Sequence, residues 1–235
     1  MLFFKDVLPI LKKHEITFEK SFRESGNIYT FVFRSDEKIK WNAGQHGAFI
    51  IKHEKIKKSI RAFSIASTDR DEYIEISTRV GDKPSEYKQA LMNLKPGVKM
   101  NMRGPIGGFY LHNDKPTLMI AGGIGITPYK SIIKDIMASS NNYPQIVHLL
   151  YIDSKEEFIY QQELNKASND NGVIIDYIKQ REDLSKSIET FISKYENDAN
   201  YFIAGSPQMI KSITALLRQH NIKNKNIIKD SFIGY

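Results

Sequence analysis

The chain has 235 residues, no cysteine and a formal net charge of +7. That length suffices for one or two domains with a sizeable core, and 41% hydrophobic against 26% charged residues is the balance of a folded soluble protein. The missing thiols exclude disulfides, thiolate zinc sites, cysteine nucleophiles and cysteine-ligated iron–sulfur clusters, so any redox chemistry needs an organic cofactor.

The opening MLFFKDVLPILKKH is apolar, but Lys5, Asp6 and Pro9 interrupt it and no small-residue cleavage site follows. No stretch reaches the roughly 18 to 20 apolar residues that span a bilayer. The expectation is a cytoplasmic protein with no membrane span. Residues 15 to 112 then read as strands: EITFEKSFRES, IYTFVFRS, HGAFIIKH, RAFSIAST and EYIEISTRV alternate or form short β-rich runs between Gly, Asn, Asp and Lys clusters. They predict an antiparallel β-barrel. One helix-like segment, Pro84 to Leu94, interrupts them, with Pro84 and Ser85 as its start signal.

From the end of the third of these strands to the start of the fourth, Lys52, Lys55, Lys57, Lys58 and Arg61 crowd together with only Glu54 opposing them. No nucleic-acid recognition motif accompanies the run, so a solvated loop is the plain reading and an acidic protein partner the specific one. No metal site is expected.

After Asp114 the rhythm becomes alternating strand and helix: PTLMIAGG, TPYKSIIKDIMASS, QIVHLLYID, EEFIYQQELNKAS, VIIDYIKQ, LSKSIETFISKY, NYFIAGS and PQMIKSITALLRQH. Such alternation predicts a parallel sheet covered by helices, a Rossmann-like α/β domain. The domain boundary is placed near His112 to Lys115, giving domains 1–112 and 113–235.

Four segments carry candidate chemistry. In TLMIAGGIGITP an apolar strand runs into a Gly-rich turn, with Pro128 where a helix begins; glycines and the helix N-terminus suit a pyrophosphate, although this is not the G-x-G-x-x-G fingerprint. RAFSIAST puts Arg61 and Phe63 on one strand face and Ala62 and Ser64 on the other, and a bend at the strand end would bring them to one ligand. RGPIGGFYL reads as a turn, and YFIAGSPQMI as a second strand-to-helix turn, at the strand ends where ligands of such sheets bind.

Taken in order, RAFSIAS, TRVGDKPS, GPIGGF, AGGIGITP, AGSPQM and the terminal SFIGY resemble the ferredoxin–NADP reductase superfamily over nearly the whole chain. The resemblance implies an N-terminal flavin-binding barrel, a C-terminal nicotinamide-nucleotide domain, and hydride transfer from NADPH or NADH to flavin N5 with no general base. Arg61 would hold flavin phosphate, Phe63 would pack on the ring system in place of the family's usual tyrosine, and Ser64 would hydrogen-bond near N5. Thr78, Val80, Gly81, Pro84 and Ser85 fall on the second flavin strand and its pyrophosphate turn, which favours FAD over FMN. Gly122, Gly123, Gly125, Thr127 and Pro128 match the nicotinamide-nucleotide turn. Gly205, Ser206, Pro207 and Met209 match the second one, where Ala204 replaces a frequent cysteine. At the end of the chain, Asp230, Phe232 and Tyr235 resemble the family's acidic-x-aromatic ending, with the aromatic near the isoalloxazine and Asp230 assisting proton traffic.

For the nucleotide, Ser154, Lys155 and Arg181 follow the second and third strands of the sheet and lean the choice toward NADPH. With no iron–sulfur cluster of its own, the chain resembles short reductases that pass electrons to a separate ferredoxin or flavodoxin. The alternatives are reduction of a diffusible acceptor such as free flavin, a quinone or a ferric chelate, and a nucleotide-binding electron-transfer subunit without independent turnover.

Overall fold

A computed structural model describes residues 8–138, 143–144, 146–171 and 173–231. The chain divides into two compact units, Met1–Tyr110 and Leu111–Tyr235.

The first unit is a six-stranded antiparallel sheet built from β1 (Lys13–Ser25), β2 (Ile28–Arg34), β3 (His46–Ile50), β4 (Ile60–Ser64), β5 (Ile74–Arg79) and β6 (Lys99–Ile106), in the order β4-β3-β6-β1-β2-β5. The two edges of the sheet are drawn together where Ala66 N–H, just past β4, donates to the Glu75 carbonyl of β5 at 2.7 Å. The sheet thus curls into the predicted barrel. Alternation on β1 sends His14, Ile16 and Phe18 inward. There Phe18 meets Phe33 at 5.7 Å between ring centroids, and Phe33 meets Phe49 at 6.0 Å. Helix α1 (Glu86–Met92) closes one end of the barrel with Tyr87, Ala90 and Leu91, and the Tyr87 hydroxyl donates to the Phe49 carbonyl at 3.2 Å.

The second unit is a five-stranded parallel sheet: β7 (Thr117–Gly122), β8 (Val147–Ile152), β9 (Ile174–Ile178), β10 (Asn200–Gly205) and β11 (Ile227–Ser231), ordered β11-β10-β7-β8-β9. Helices α2 (Thr127–Ala138), α3 (Gln161–Asn171), α4 (Arg181–Tyr195) and α5 (Pro207–Gln219) connect the strands. The chain runs from β7 outward to β8 and β9, then returns to β10 on the other side of β7. The sheet therefore has a topological switch point between β7 and β10, and β10 is buried along its whole length, as a central parallel strand must be.

Three elements differ from the sequence reading. β6, KMNMRGPI, is a strand paired on both sides, with β1 and with β3, so the GPI of the expected turn lies in its last residues. β11 adds a strand beyond the last predicted helix. Helix α3 begins at Gln161 rather than at Glu156, because Glu156 and Tyr160 both take positive φ, 58° and 62°, which a helix cannot continue. Among the described residues no helix is long and apolar enough to cross a membrane.

Phe49 is fully buried and links the barrel core to the β4 surface. Phe49→Ala is expected to lower stability in urea denaturation by about 3 to 5 kcal/mol, whereas Phe22→Ala, at a side chain 42% exposed, should stay within about 0.5 kcal/mol.

Candidate functional site

On the barrel, strand β4 places Arg61 and Phe63 on one face, both half-buried, and both meet Tyr87 of α1. The Arg61 guanidinium lies 5.7 Å from the Tyr87 ring centroid, and the Phe63 ring 5.9 Å from it; Phe63 also packs edge-on against Phe49 at 5.8 Å. Tyr87 is held in its phenol form, since burial raises its pKa above the ordinary value. Ser64 is buried at the end of the strand, opposite His46 of β3.

The segment after β5 carries the next set. Thr78 is buried, Val80 N–H donates to the Asn27 carbonyl at 2.7 Å, and a Cβ at Gly81 would meet open space. Ser85 caps α1, its hydroxyl accepting from Lys88 N–H at 3.4 Å, with Pro84 just before it. The sequence reading missed Arg79 and Lys88. Lys88 Nζ donates to the Arg79 carbonyl at 2.7 Å, and its ammonium pKa is lowered by burial first and then by the charges of Arg61 and Arg79. Lys88 of α1 thus lies within the fields of one cation from β4 and one from β5. An anion there relieves their repulsion, and the diphosphate of FAD, with Phe63 beside it, fits that donor set.

In the second unit, the two strand-to-helix turns at the switch point interlock. A Cβ on Gly125 would collide with the Ala204 carbonyl oxygen and stand 2.7 Å from its carbon and 2.9 Å from Gly205 N; one on Gly122 would collide with Met209 Sδ. Gly123, at φ 53°, sits in the left-handed region that favours glycine. Thr127 and Pro128 are buried at the start of α2, and the Thr127 hydroxyl donates to the Ile124 carbonyl at 2.7 Å, bracing the turn. Ser206 caps α5 by accepting from Met209 N–H at 3.3 Å, and Pro207 occupies the first turn of the helix. Two capped or braced helix starts and bare glycine backbone therefore face the crevice between β7 and β10, the place where such sheets bind nucleotides.

Asp230 lies opposite Ala204 in the β10–β11 register, and its charge, after burial, is among the causes that raise the pKa of the buried Tyr129 hydroxyl. Phe232 and Tyr235 lie outside the described residues. Ser154, Lys155 and Arg181 are all exposed beyond the ends of β8 and β9. No signal short of the fold itself would have joined Arg79 and Lys88 to Arg61.

A family model described as the oxidoreductase FAD-binding domain matches residues 15–110, and one described as the oxidoreductase NAD-binding domain matches residues 119–215. Among curated proteins, a component of the Na(+)-translocating NADH-quinone reductase of Actinobacillus pleuropneumoniae is 24% identical over 200 residues, which is 74% of this chain and 49% of that protein. Its counterpart in Klebsiella pneumoniae is 25% identical over 201 residues, covering 75% and 49%. The chain thus spans about half the length of these curated relatives. Among solved structures, the ferredoxin-NADP+ reductase of Plasmodium falciparum superposes with a TM-score of 0.79 at 17% identity, covering 97% of this chain and 99% of that one. The cytochrome b5 reductase domain of Ulva prolifera nitrate reductase gives 0.79 at 18% identity, covering 94% and 98%. With both domain models matched in this order on this two-unit fold, the chain belongs to the ferredoxin–NADP reductase superfamily and is an oxidoreductase that binds FAD and a nicotinamide nucleotide.

Proposed function

We propose that the chain takes electrons from a reduced nicotinamide nucleotide and delivers them to a separate, acidic electron-carrier protein such as a ferredoxin or flavodoxin. When bound, FAD supplies the hydride acceptor and the change from two-electron to one-electron transfer. The chain's own residues bind and orient. Arg61, Arg79 and Lys88 hold the FAD diphosphate, with Thr78, Val80, Gly81, Pro84 and Ser85 shaping the backbone around it; Phe63 packs along the ring system and the Ser64 hydroxyl orients its reactive edge. Gly122, Gly123 and Gly125 let the nicotinamide nucleotide approach the backbone at the starts of α2 and α5, beside Gly205, Ser206, Pro207 and Met209. Asp230, across from Ala204, holds or moves a proton at its carboxylate.

The observation that carries the choice of acceptor is a basic surface larger than the sequence run. Lys52, Lys55, Lys57 and Lys58 are exposed on the β3–β4 connection. Across the sheet, Lys13 of β1 pairs in register with Arg103 of β6, and both are exposed. The close approach of Lys52, and after it the charge of Arg103, lower the Lys13 ammonium pKa below its ordinary value. Cations gathered at this density favour an acidic face on the partner. The similarity to one component of a larger quinone reductase favours a second reading, in which the chain is the electron-entry component of an assembly.

Three measurements test this. The visible flavin spectrum of the purified protein should bleach anaerobically on adding NADH or NADPH, and a protein that takes up no FAD would refute the enzyme. With an acidic ferredoxin, kcat/KM should fall about tenfold or more between low and physiological salt, whereas ferricyanide reduction should barely respond. Lys13→Glu combined with Lys52→Glu should reproduce the loss with the ferredoxin alone. Parallel salt responses of the two acceptors would point to a diffusible acceptor, and no reduction of either acceptor by the isolated chain to the assembly reading.

The cation cluster predicts a pH dependence with a definite sign. The Lys88 pKa is depressed in the free protein, and a diphosphate beside it raises the value, so FAD binding takes up a proton between the two values. FAD affinity should therefore fall as pH rises through that window, measured by fluorescence titration of the apoprotein from about pH 7 to about pH 10. Lys88→Met should flatten the profile; profiles of equal slope would show that Lys88 does not face the diphosphate.

A further inference from the structure

Strand β8 ends at Ile152, and Asp153 is the first residue beyond its carboxyl end, one strand away from the β7 turn on the side opposite β10. This carboxylate is fixed. Asp153 is 8% exposed, while Ser154 and Lys155 after it are exposed. Its N–H donates to the Ile178 carbonyl at 3.2 Å, its carbonyl accepts from Glu156 N–H at 3.1 Å, and its Oδ1 accepts from Lys155 N–H at 2.8 Å. The second oxygen is turned to the nucleotide turn, for a Cβ built on Gly123 would stand 3.5 Å from Oδ2.

A dinucleotide whose nicotinamide end enters the β7–β10 crevice and whose diphosphate lies on the Gly122–Pro128 turn carries its adenosine ribose past β8. An acidic side chain at that strand end accepts from the ribose hydroxyls of NADH. The 2′-phosphate of NADPH brings close to two negative charges at neutral pH, and it would bring them against a carboxylate that cannot swing away. We propose that Asp153 is the specificity-determining residue of the nucleotide site and makes the chain prefer NADH over NADPH.

The proposal rests on the reading of the β7 turn as the nucleotide site, and it reverses the lean toward NADPH that Ser154, Lys155 and Arg181 give in the sequence. Lys155 and Arg181 are exposed, and the neighbouring Lys179 is paired with Glu156 at 2.7 Å. Exposed surface cations contribute little to holding a phosphate, whereas a fixed, nearly buried charge acts at contact range in a lower dielectric.

The test is calorimetric titration of the FAD-loaded protein with ADP-ribose and with 2′-phospho-ADP-ribose, which reads binding without turnover. The wild type should bind ADP-ribose at least about tenfold more tightly, and Asp153→Asn, which keeps an oxygen to accept from Lys155 N–H, should narrow the ratio to within about threefold. Equal or tighter binding of the phosphorylated probe by the wild type overturns the proposal, whatever becomes of the variant. An unchanged ratio in Asp153→Asn, or in Asp153→Ser where the first variant does not fold, overturns it as well. If the wild type binds neither probe, the nucleotide site itself has been misplaced and the proposal falls with it; selective binding that survives in the wild type and fades in the variants supports both.

Discussion

The contact between Gly125 and the Ala204 carbonyl is the constraint on which the nucleotide end of the molecule depends. β7 and β10 are parallel neighbours in register, Ile120 beside Ile203 and Ala121 beside Ala204, so the turns that leave them emerge at one level. The start of α2 can close over β10 only if the residue facing that carbonyl has no side chain, because the obstructing atoms are backbone and cannot move aside. Met209 completes the fit from the other turn by lying over Gly122. Tyr129, near the start of α2, anchors the arrangement from beneath through its buried hydroxyl on the Ile120 carbonyl at 3.1 Å. The small residues here are thus explained by packing between two turns before any ligand is considered. The half-buried backbone of Gly122 and Gly123 is what that packing leaves open.

The barrel reaches a comparable result by other means. A run of aromatic contacts, Phe18 to Phe33 to Phe49 to Phe63 to Tyr87, leads from the centre of the core to the surface of β4. Because each ring is fixed by the one before it, Phe63 and Tyr87 form a rigid floor, and Arg61 stands over that floor through its contact with Tyr87. Lys88 adds a charge where two others already repel it, which a barrel selected for stability alone has no reason to keep. Its hydrogen bond to the Arg79 carbonyl holds the ammonium in place within the fields of Arg61 and Arg79. On the proposed reading the FAD diphosphate accounts for the cluster, and the Phe63 ring is positioned by its packing on Phe49 and Tyr87.

Much of this is legible in the residues, for definite physical reasons. The alternation in the first half of β1, the short β-rich run of β2 and the strand–helix rhythm after Asp114 carry their periodicity locally. Gly122, Gly125 and Gly205 stand out because turns of this kind restrict residue type. β6 is not legible, since the alternation of Met100 and Met102 in KMNMRGPI is short and runs straight into Gly and Pro; it is a strand because β1 and β3 flank it. The start of α3 is hidden because the positive φ values at Glu156 and Tyr160 are tertiary requirements placed on residues that do not favour them. Arg79, Lys88 and Asp153 are ordinary surface types in sequence. Only the packing of α1 beside β4 and β5, and the register of β7 with β8, bring them to a floor or a turn where their charge matters.

The distribution of charge then separates two tasks that one net value of +7 conceals. Choosing between donors that differ by a single phosphate requires a charge at contact distance that is held still, because at longer range both nucleotides look alike. A nearly buried Asp153, tied by its own backbone and by Lys155 N–H, has that character. Recognising a carrier protein places the opposite demand. Steering acts over roughly a Debye length, about 8 Å at physiological salt, and benefits from many exposed cations whose individual positions are unimportant. Lys13, Lys52, Lys55, Lys57, Lys58 and Arg103 are of that kind. A buried carboxylate would serve poorly as a docking surface, and exposed lysines would serve poorly as a sieve for one phosphate. On the proposed reading, each end of the electron path carries the kind of charge, buried or exposed, that its own discrimination needs.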